Sequence, residues 1–121
     1  MLTFTVPGRP TTWKRTMTVG KRRPNDPVYV AAKGHVHQRA LQARPNGWPL
    51  DQRYALGVIV HLANHRSEGD IDRYINLVMD ALQGAMWRND KQVDELLRCA
   101  KVFGEGEPRL VVTVDTVGEG A

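Results

Sequence analysis

The 121-residue chain carries a net charge of +4, has a pI of about 9.6 and is 41% apolar. This length suits one domain with its own hydrophobic core, which we place at residues 1–121. No apolar run approaches the roughly 18 residues of a membrane span, and the start does not resemble a signal peptide, so we expect neither. A single cysteine excludes an internal disulfide and favours a reducing, cytoplasmic setting.

The charges are unevenly divided along the chain. Residues 1–50 hold nine Lys and Arg and one acid, whereas residues 51–121 hold eight Lys and Arg and twelve acids. This asymmetry predicts a basic surface for a polyanion such as nucleic acid, beside a separate acidic locus. Solvated charge on both halves is the plain alternative.

The first part of the chain predicts a strand, a basic loop and a helix. Leu2–Val6 alternates apolar and polar side chains, which is typical of a strand. Proline and glycine punctuate residues 8–27, which predicts a loop. The cations of this loop are candidate phosphate contacts: Arg9, Lys14, Arg15, Lys21, Arg22 and Arg23. Val28–Val30 is either a short strand or a helix lead-in, and Ala31–Arg44 predicts a helix that ends before Pro45.

The second part predicts a central strand, an amphipathic helix and two closing strands. Their bounds are Tyr54–Leu62 for the first strand, 71–82 for the helix, and Val93–Phe103 and Arg109–Val117 for the last two strands. We expect the last two to form an antiparallel hairpin, and residues 118–121 to be a frayed tail. The order β-loop-α-β-α-β-β predicts an α+β fold, a small mixed sheet with two helices packed on one face.

Two carboxylates precede the amphipathic helix. Asp70 and Asp72 are two residues apart, a spacing that suits one hard cation such as Mg²⁺. The alternative is helix capping, because Asp is a preferred N-cap and negative charge there is favoured by about 0.3–1 kcal/mol. Spacing alone leaves both open. Asp80 lies about 12 Å further along the helix axis than Asp72, so it cannot share their metal.

A third acid, Asp90, follows the far end of this helix. It can join the first two only if residues 84–89 run back along the helix, or if a partner subunit supplies it.

Three segments of the chain form a long motif. They are Asp70-Ile71-Asp72, Asp80-Ala81-Leu82-Gln83-Gly84, and Trp87-Arg88-Asn89-Asp90-Lys91-Gln92-Val93. The motif resembles the RusA family of Holliday junction resolvases, the crossover-junction endodeoxyribonucleases. That family typically shows Asp-x-Asp-Asn, a lysine four positions after the second Asp, Asp-Ala-Leu-x-Gly, and an aromatic residue before Asp-Asp-x-Gln-Val.

The resemblance implies a homodimer that binds four-way DNA junctions and nicks symmetrically related strands. It implies Mg²⁺ as cofactor, with Mn²⁺ as an alternative, held by three catalytic aspartates. By motif position these are Asp70, Asp72 and Asp90. Arg73 joins the loop cations as a candidate DNA contact.

Three positions depart from the family pattern. Arg73 stands in place of asparagine, Asn76 in place of lysine, and Asn89 in place of the first Asp of the Asp-Asp pair. Losing the lysine removes a cation that could stabilise the transition state. Asn76 itself and Lys91 are therefore the candidates for transition-state support; Arg73 is a further substitute for the lost cation, although it projects about 60° around the helix from Asn76.

These observations predict a Mg²⁺-dependent, structure-selective endodeoxyribonuclease. One alternative is a non-catalytic branched-DNA-binding protein of the same fold, which the departures at Arg73 and Asn76 motivate. Another is a protein-interaction module whose charge asymmetry is incidental.

Overall fold

The computed structural model describes residues 1–11, 27–66 and 68–117. These residues form β1 (Leu2–Pro7), α1 (Pro27–Ala43), β2 (Tyr54–Leu62), α2 (Ile71–Leu82), a short 3-10 helix (Asp90–Gln92), β3 (Val93–Phe103) and β4 (Arg109–Thr116). The predicted α+β class and element order are confirmed. Most of the predicted basic loop, and the predicted tail at 118–121, lie outside the described residues.

β2 is an inner strand of a four-stranded sheet with the order β1-β4-β2-β3. Its bounds are those the sequence predicts, and only Ile59 and His61 along it are partly exposed. A continuous apolar run is stable in this position because it is paired at both edges and contributes Tyr54, Leu56, Val58, Val60 and Leu62 to the core.

The predicted antiparallel hairpin of β3 and β4 is wrong. β3 pairs in parallel with β2, whereas β4 pairs antiparallel with β2 on its other side and with β1. A parallel neighbour needs a crossover connection, and α2 provides it between β2 and β3. The turn at 104–108, where Gly104 and Gly106 have positive φ, then carries the chain past β2. Strands two positions apart are separated by only about 10 Å, which a turn of this length can span.

Strand composition is consistent with this order. β3 lies at an edge of the sheet and exposes Asp94, Glu95 and Arg98 near its start. Charged side chains on an edge strand discourage pairing with another chain, whereas they would be costly in the middle of the sheet. The more apolar β2 therefore takes the inner position.

The helices bury the sheet face on which the core forms. α2 packs against β2 and β3, and α1 packs against β1 and α2. The buried side chains of α2 are Tyr74, Leu77, Val78, Ala81 and Leu82. Each large apolar side chain that is fully buried contributes about 1.5–3 kcal/mol relative to an exposed one.

α1 begins earlier than predicted, at Pro27, so Val28–Val30 is helical. Proline is favoured at the first helical position because its missing N–H would have no partner there. Side chains of α1 and the turn after it then hydrogen-bond α2 and the segment that follows it. These bonds are Tyr29 to Asp80, His37 to the Ala81 carbonyl, Arg44 to the Ala85 carbonyl and Trp48 to the Met86 carbonyl.

Within the described parts of the chain, no helix is long and apolar enough to cross a membrane.

Candidate active site at the start of α2

Asp70 occupies the N-cap of α2, but its side chain does not cap the helix. Its backbone is extended, with φ −68° and ψ 143°, and its carbonyl accepts the first helical hydrogen bond from Arg73 at 3.0 Å. The carboxylate makes no capping hydrogen bond and is 77% exposed. Among the described residues, Arg73 forms an ion pair with it, with Nε 3.8 Å from Oδ2. The helix start therefore uses the backbone of Asp70 and leaves its carboxylate available.

Asp72 lies in the first turn of α2 and is also exposed. Both acids sit at the end of the helix where the backbone dipole favours negative charge. Carboxylate oxygens are the ligands that Mg²⁺ takes from proteins, usually one or two together with waters and substrate phosphates. The pair is thus chemically suited to hold part of a divalent-cation site.

The connection that precedes Asp70 is fixed by a charged network. Lys101 Nζ, on β3, donates to Glu68 Oε2 at 2.6 Å and to the Gly69 carbonyl at 3.1 Å. His65 Nδ1 lies 3.1 Å from Glu68 Oε1. The hydrogen bond from Lys101 lowers the pKa of Glu68, and His65 adds to this effect. The same bond, which Lys101 donates to Glu68, is the main cause that raises the pKa of Lys101, and the charge of Asp70 contributes a smaller share.

The sequence alone does not indicate a role for Glu68 or Lys101. Lys101 lies beside Val60 of β2 because β3 runs parallel to β2. An antiparallel hairpin of β3 and β4 gives no reason to place Lys101 near Asp70. Recognising the β2–α2–β3 crossover would have provided the signal, since the ends of parallel strands meet at one edge of the sheet.

Asp90 lies in the short helix that precedes β3 and is half-buried. Its Oδ1 accepts a 3.0 Å hydrogen bond from Trp87 Nε1. Burial raises the pKa of Asp90, the bond from Trp87 opposes this shift, and the charge of Asp80 adds to it. Asp80 belongs to the last part of α2, about 15 Å along the axis from Asp70.

The acids of the motif are therefore not gathered in one place. Among residues 1–11, 27–66 and 68–117, no group of three or more His, Cys, Asp or Glu side chains is arranged to hold a metal ion. Asp70 and Asp72 lie together at the start of α2, whereas Asp90 interacts with Asp80. The three-aspartate site remains a prediction.

The departure at Asn89 has a structural explanation. Its side chain accepts from the Lys91 N–H at 2.9 Å and caps the short helix, while Gln92 Oε1 accepts from the Asn89 N–H at 3.0 Å. Gln92 Nε2 also donates to the carbonyls of Leu50 and Gln52. Asparagine is a preferred N-cap, so Asn89 performs this role without adding charge next to Asp90.

The remaining candidates are spread over the surface. Asn76 and Lys91 are exposed, on α2 and on the short helix respectively. Arg9 is exposed just after β1, and Arg73 is partly buried in the first turn of α2. The other predicted DNA contacts, Lys14, Arg15, Lys21, Arg22 and Arg23, lie outside the described residues.

The functional indication comes from the exposed paired acids and the basic first half of the chain, since a basic surface favours nucleic acid as the partner. The family model described as Endodeoxyribonuclease RusA matches residues 7–115. The chain belongs to the RusA family and is an endodeoxyribonuclease of the kind that resolves Holliday junctions. Nucleases of this family generally depend on a divalent metal and act on branched DNA. No curated protein matches the chain.

Proposed function

We propose that this endonuclease is a Mg²⁺-dependent homodimer that resolves branched DNA by paired, symmetric nicks. The observation that carries the proposal is the carboxylate of Asp70, which sits at a helix start, makes no capping bond and is 77% exposed. A purely structural N-cap aspartate would use this group to bond the first turn. Asp72 adds a second exposed carboxylate two residues further along the chain.

The two carboxylates fit the preference of Mg²⁺ for oxygen ligands. Mg²⁺ held there, or Mn²⁺ in its place, would stabilise charge on the scissile phosphate and make a bound water more acidic. The chain itself supplies the ligands and their orientation.

In our proposal Asp90 of the partner subunit completes the site. Support comes from the helix geometry, because Asp90 interacts with Asp80, about 15 Å along α2 from Asp70. Two copies related by a twofold axis would form two equivalent sites. Two such sites match the paired cuts that resolve a four-way junction.

DNA binding in this proposal relies on Arg73, which lies beside Asp70, and on cations of the first half of the chain. Arg9 and Arg73 would contact phosphates, together with Lys14, Arg15, Lys21, Arg22 and Arg23 of the basic loop. Such contacts release counterions from DNA, so affinity should fall steeply as the salt concentration rises.

The test is incubation of the purified protein with Mg²⁺ and a synthetic four-way junction. We expect symmetric nicks that chelation abolishes, and little cutting of a linear duplex of the same sequence. Tight junction binding without nicking would overturn the catalytic part of the proposal. Light scattering at the concentration used for cleavage should report a dimer, and an active monomer would contradict the shared site.

A second candidate is a junction-binding protein without turnover. Asn76 favours it, since this exposed position lacks the lysine that the resemblance implies. The same assay distinguishes the two, because a binder would show salt-sensitive affinity that neither Mg²⁺ nor a chelator changes.

A further inference from the structure

The residue that precedes Asp70 is held on both of its backbone polar groups. The Gly69 N–H donates to Tyr74 Oη at 2.9 Å, and the Gly69 carbonyl accepts from Lys101 Nζ at 3.1 Å. Tyr74 belongs to α2 and is 1% exposed. Lys101 belongs to β3, and its side chain is 25% exposed. Side chains from α2 and β3 thus hold both backbone polar groups of one glycine.

Glycine has the greatest backbone freedom of any residue, so an unrestrained Gly69 would let Asp70 change direction. Mg²⁺ demands near-ideal octahedral geometry and tolerates little displacement of its ligands. A metal site built on Asp70 therefore needs the backbone before it to be fixed. The two hydrogen bonds to Gly69 meet this need.

We propose that Lys101 is a positioning residue for the metal-binding carboxylates, acting by holding the Gly69 carbonyl and Glu68 against β3. This inference rests on the proposed function, because it assumes that Asp70 and Asp72 hold a divalent cation. Tyr74 contributes the second restraint from within the core.

Lys101 is better placed for this role than Arg73. The Arg73 guanidinium approaches Asp70 only to 3.8 Å, and that carboxylate is largely exposed. Lys101 instead forms a short hydrogen bond to Glu68 and also bonds the Gly69 carbonyl. Its side chain is less exposed than that of Arg73 or Asp70.

Replacing Lys101 removes a positive charge and also removes a restraint on Gly69. These two effects predict opposite changes in Mg²⁺ affinity. Removing a cation near Asp70, and releasing the Glu68 carboxylate, would by charge alone strengthen the binding of Mg²⁺. Losing the restraint on Gly69 would weaken it. The sign of the change in Mg²⁺ affinity therefore separates the two effects.

The test compares Lys101→Met, Lys101→Arg and Arg39→Met in the full-length protein. Arg39 donates to the Thr5 carbonyl at 3.2 Å, so Arg39→Met is a control for losing one charge and one bond between a cation and the backbone. We expect Lys101→Met to weaken Mg²⁺ binding by about tenfold in titration calorimetry, the usual effect of removing a group that orients a ligand. Lys101→Arg should restore part of the affinity, and Arg39→Met should leave it unchanged.

Further readouts separate positioning from general damage. Junction affinity without metal should change equally in Lys101→Met and Arg39→Met, and the cleavage rate constant should fall only in the former. If Lys101→Met does not fold, Lys101→Gln takes its place with the same expected loss. Unchanged or tighter Mg²⁺ binding in a folded Lys101 variant, or an equal loss in Arg39→Met, would overturn the inference alone. Failure of the wild-type protein to bind Mg²⁺ would overturn the proposed function with it.

Discussion

Trp87 and Asp90 are joined by a 3.0 Å hydrogen bond from the indole Nε1 to Oδ1. Trp87 is fully buried, and its ring packs at a tilt against Tyr54 with the centroids 5.7 Å apart. The direction of the Asp90 carboxylate is therefore set from the core, although the group itself reaches the surface. A fixed orientation would suit Asp90, which we propose as a ligand in the metal site of the partner subunit.

Replacing Trp87 with Phe should both destabilise the protein and release Asp90. We expect a loss of about 1–3 kcal/mol in the free energy of unfolding, from the smaller ring and the missing indole donor. Urea denaturation in the presence of a chelator would measure it. The cleavage rate should also fall, because Asp90 would lose its fixed orientation.

Trp48→Phe is the matched control for this prediction. Trp48 Nε1 donates to the Met86 carbonyl at 3.0 Å and has no bond to an acid of the motif. It should lower stability but leave cleavage by the folded protein near the wild-type rate. Equal effects of both variants on cleavage would show that the bond to Asp90 has no special role.

Local sequence patterns were sufficient to predict most of the elements. β2 has its predicted bounds because its apolar run is long and uninterrupted, and α2 spans the residues that its periodicity indicates. α1 starts at Pro27 and not at Ala31, because proline, which also occurs in loops, is favoured at the first helical position. α1 continues without a break through the exposed Gly34, and its buried residues are Tyr29, Val36 and Ala40.

Strand neighbours could not be predicted in the same way. Periodicity shows which face of a strand is apolar, but not which strand lies beside it. The short turn at 104–108 suggested a hairpin, whereas the chain passes β2 and pairs on its far side. The candidate site depended on this choice, since only the parallel order places Lys101 beside Glu68 and Gly69.

Asp70→Asn and Asp72→Asn should each reduce junction cleavage by at least about a hundredfold. Removing a group that only orients a metal ligand costs about 10–100-fold, and a direct ligand should cost more. Junction binding should be kept or strengthened, because a negative charge near phosphate is removed. Gel-shift titration and single-turnover cleavage on the same preparation would measure both.

Asp80→Asn is the control on the same helix. Its amide oxygen can still accept the hydrogen bond from Tyr29, and helix geometry separates it from the pair. We expect cleavage to fall far less than in Asp70→Asn or Asp72→Asn, since Asp80 acts on the site only through its charge beside Asp90. If Asp80→Asn is inactive and Asp70→Asn is active, the metal ligands have been misassigned.

His61 should make stability depend on pH. Burial lowers the pKa of His61 below its usual 6.5, Arg109 adds to the shift and Glu105 opposes it, and the buried Nδ1 has no hydrogen-bond partner in the described chain. At pH values just below 6.5, the folded state thus binds fewer protons than the unfolded state. The free energy of unfolding should have its full value above about pH 6.5 and should decline as the pH falls below this value.

His61→Gln removes the titrating group. Urea denaturation at pH 7.5, 6.5 and 5.5, with a chelator present, should show a smaller loss of unfolding free energy in the variant than in the wild type. Identical pH dependence in both proteins would contradict a role for this histidine.

Asn76→Lys should raise the rate of cleavage. Asn76 is exposed on α2, four residues after Asp72, so a lysine there lies on the same side of the helix. Its cation could stabilise developing charge on the phosphate, and we expect the single-turnover rate constant to rise by about tenfold or more. The pairing with Asp72 would stabilise the helix by about 0.2–0.5 kcal/mol, so folding should not suffer. Asn76→Gln extends the side chain without adding charge, and equal rates for the two variants would show that the missing lysine does not limit this enzyme.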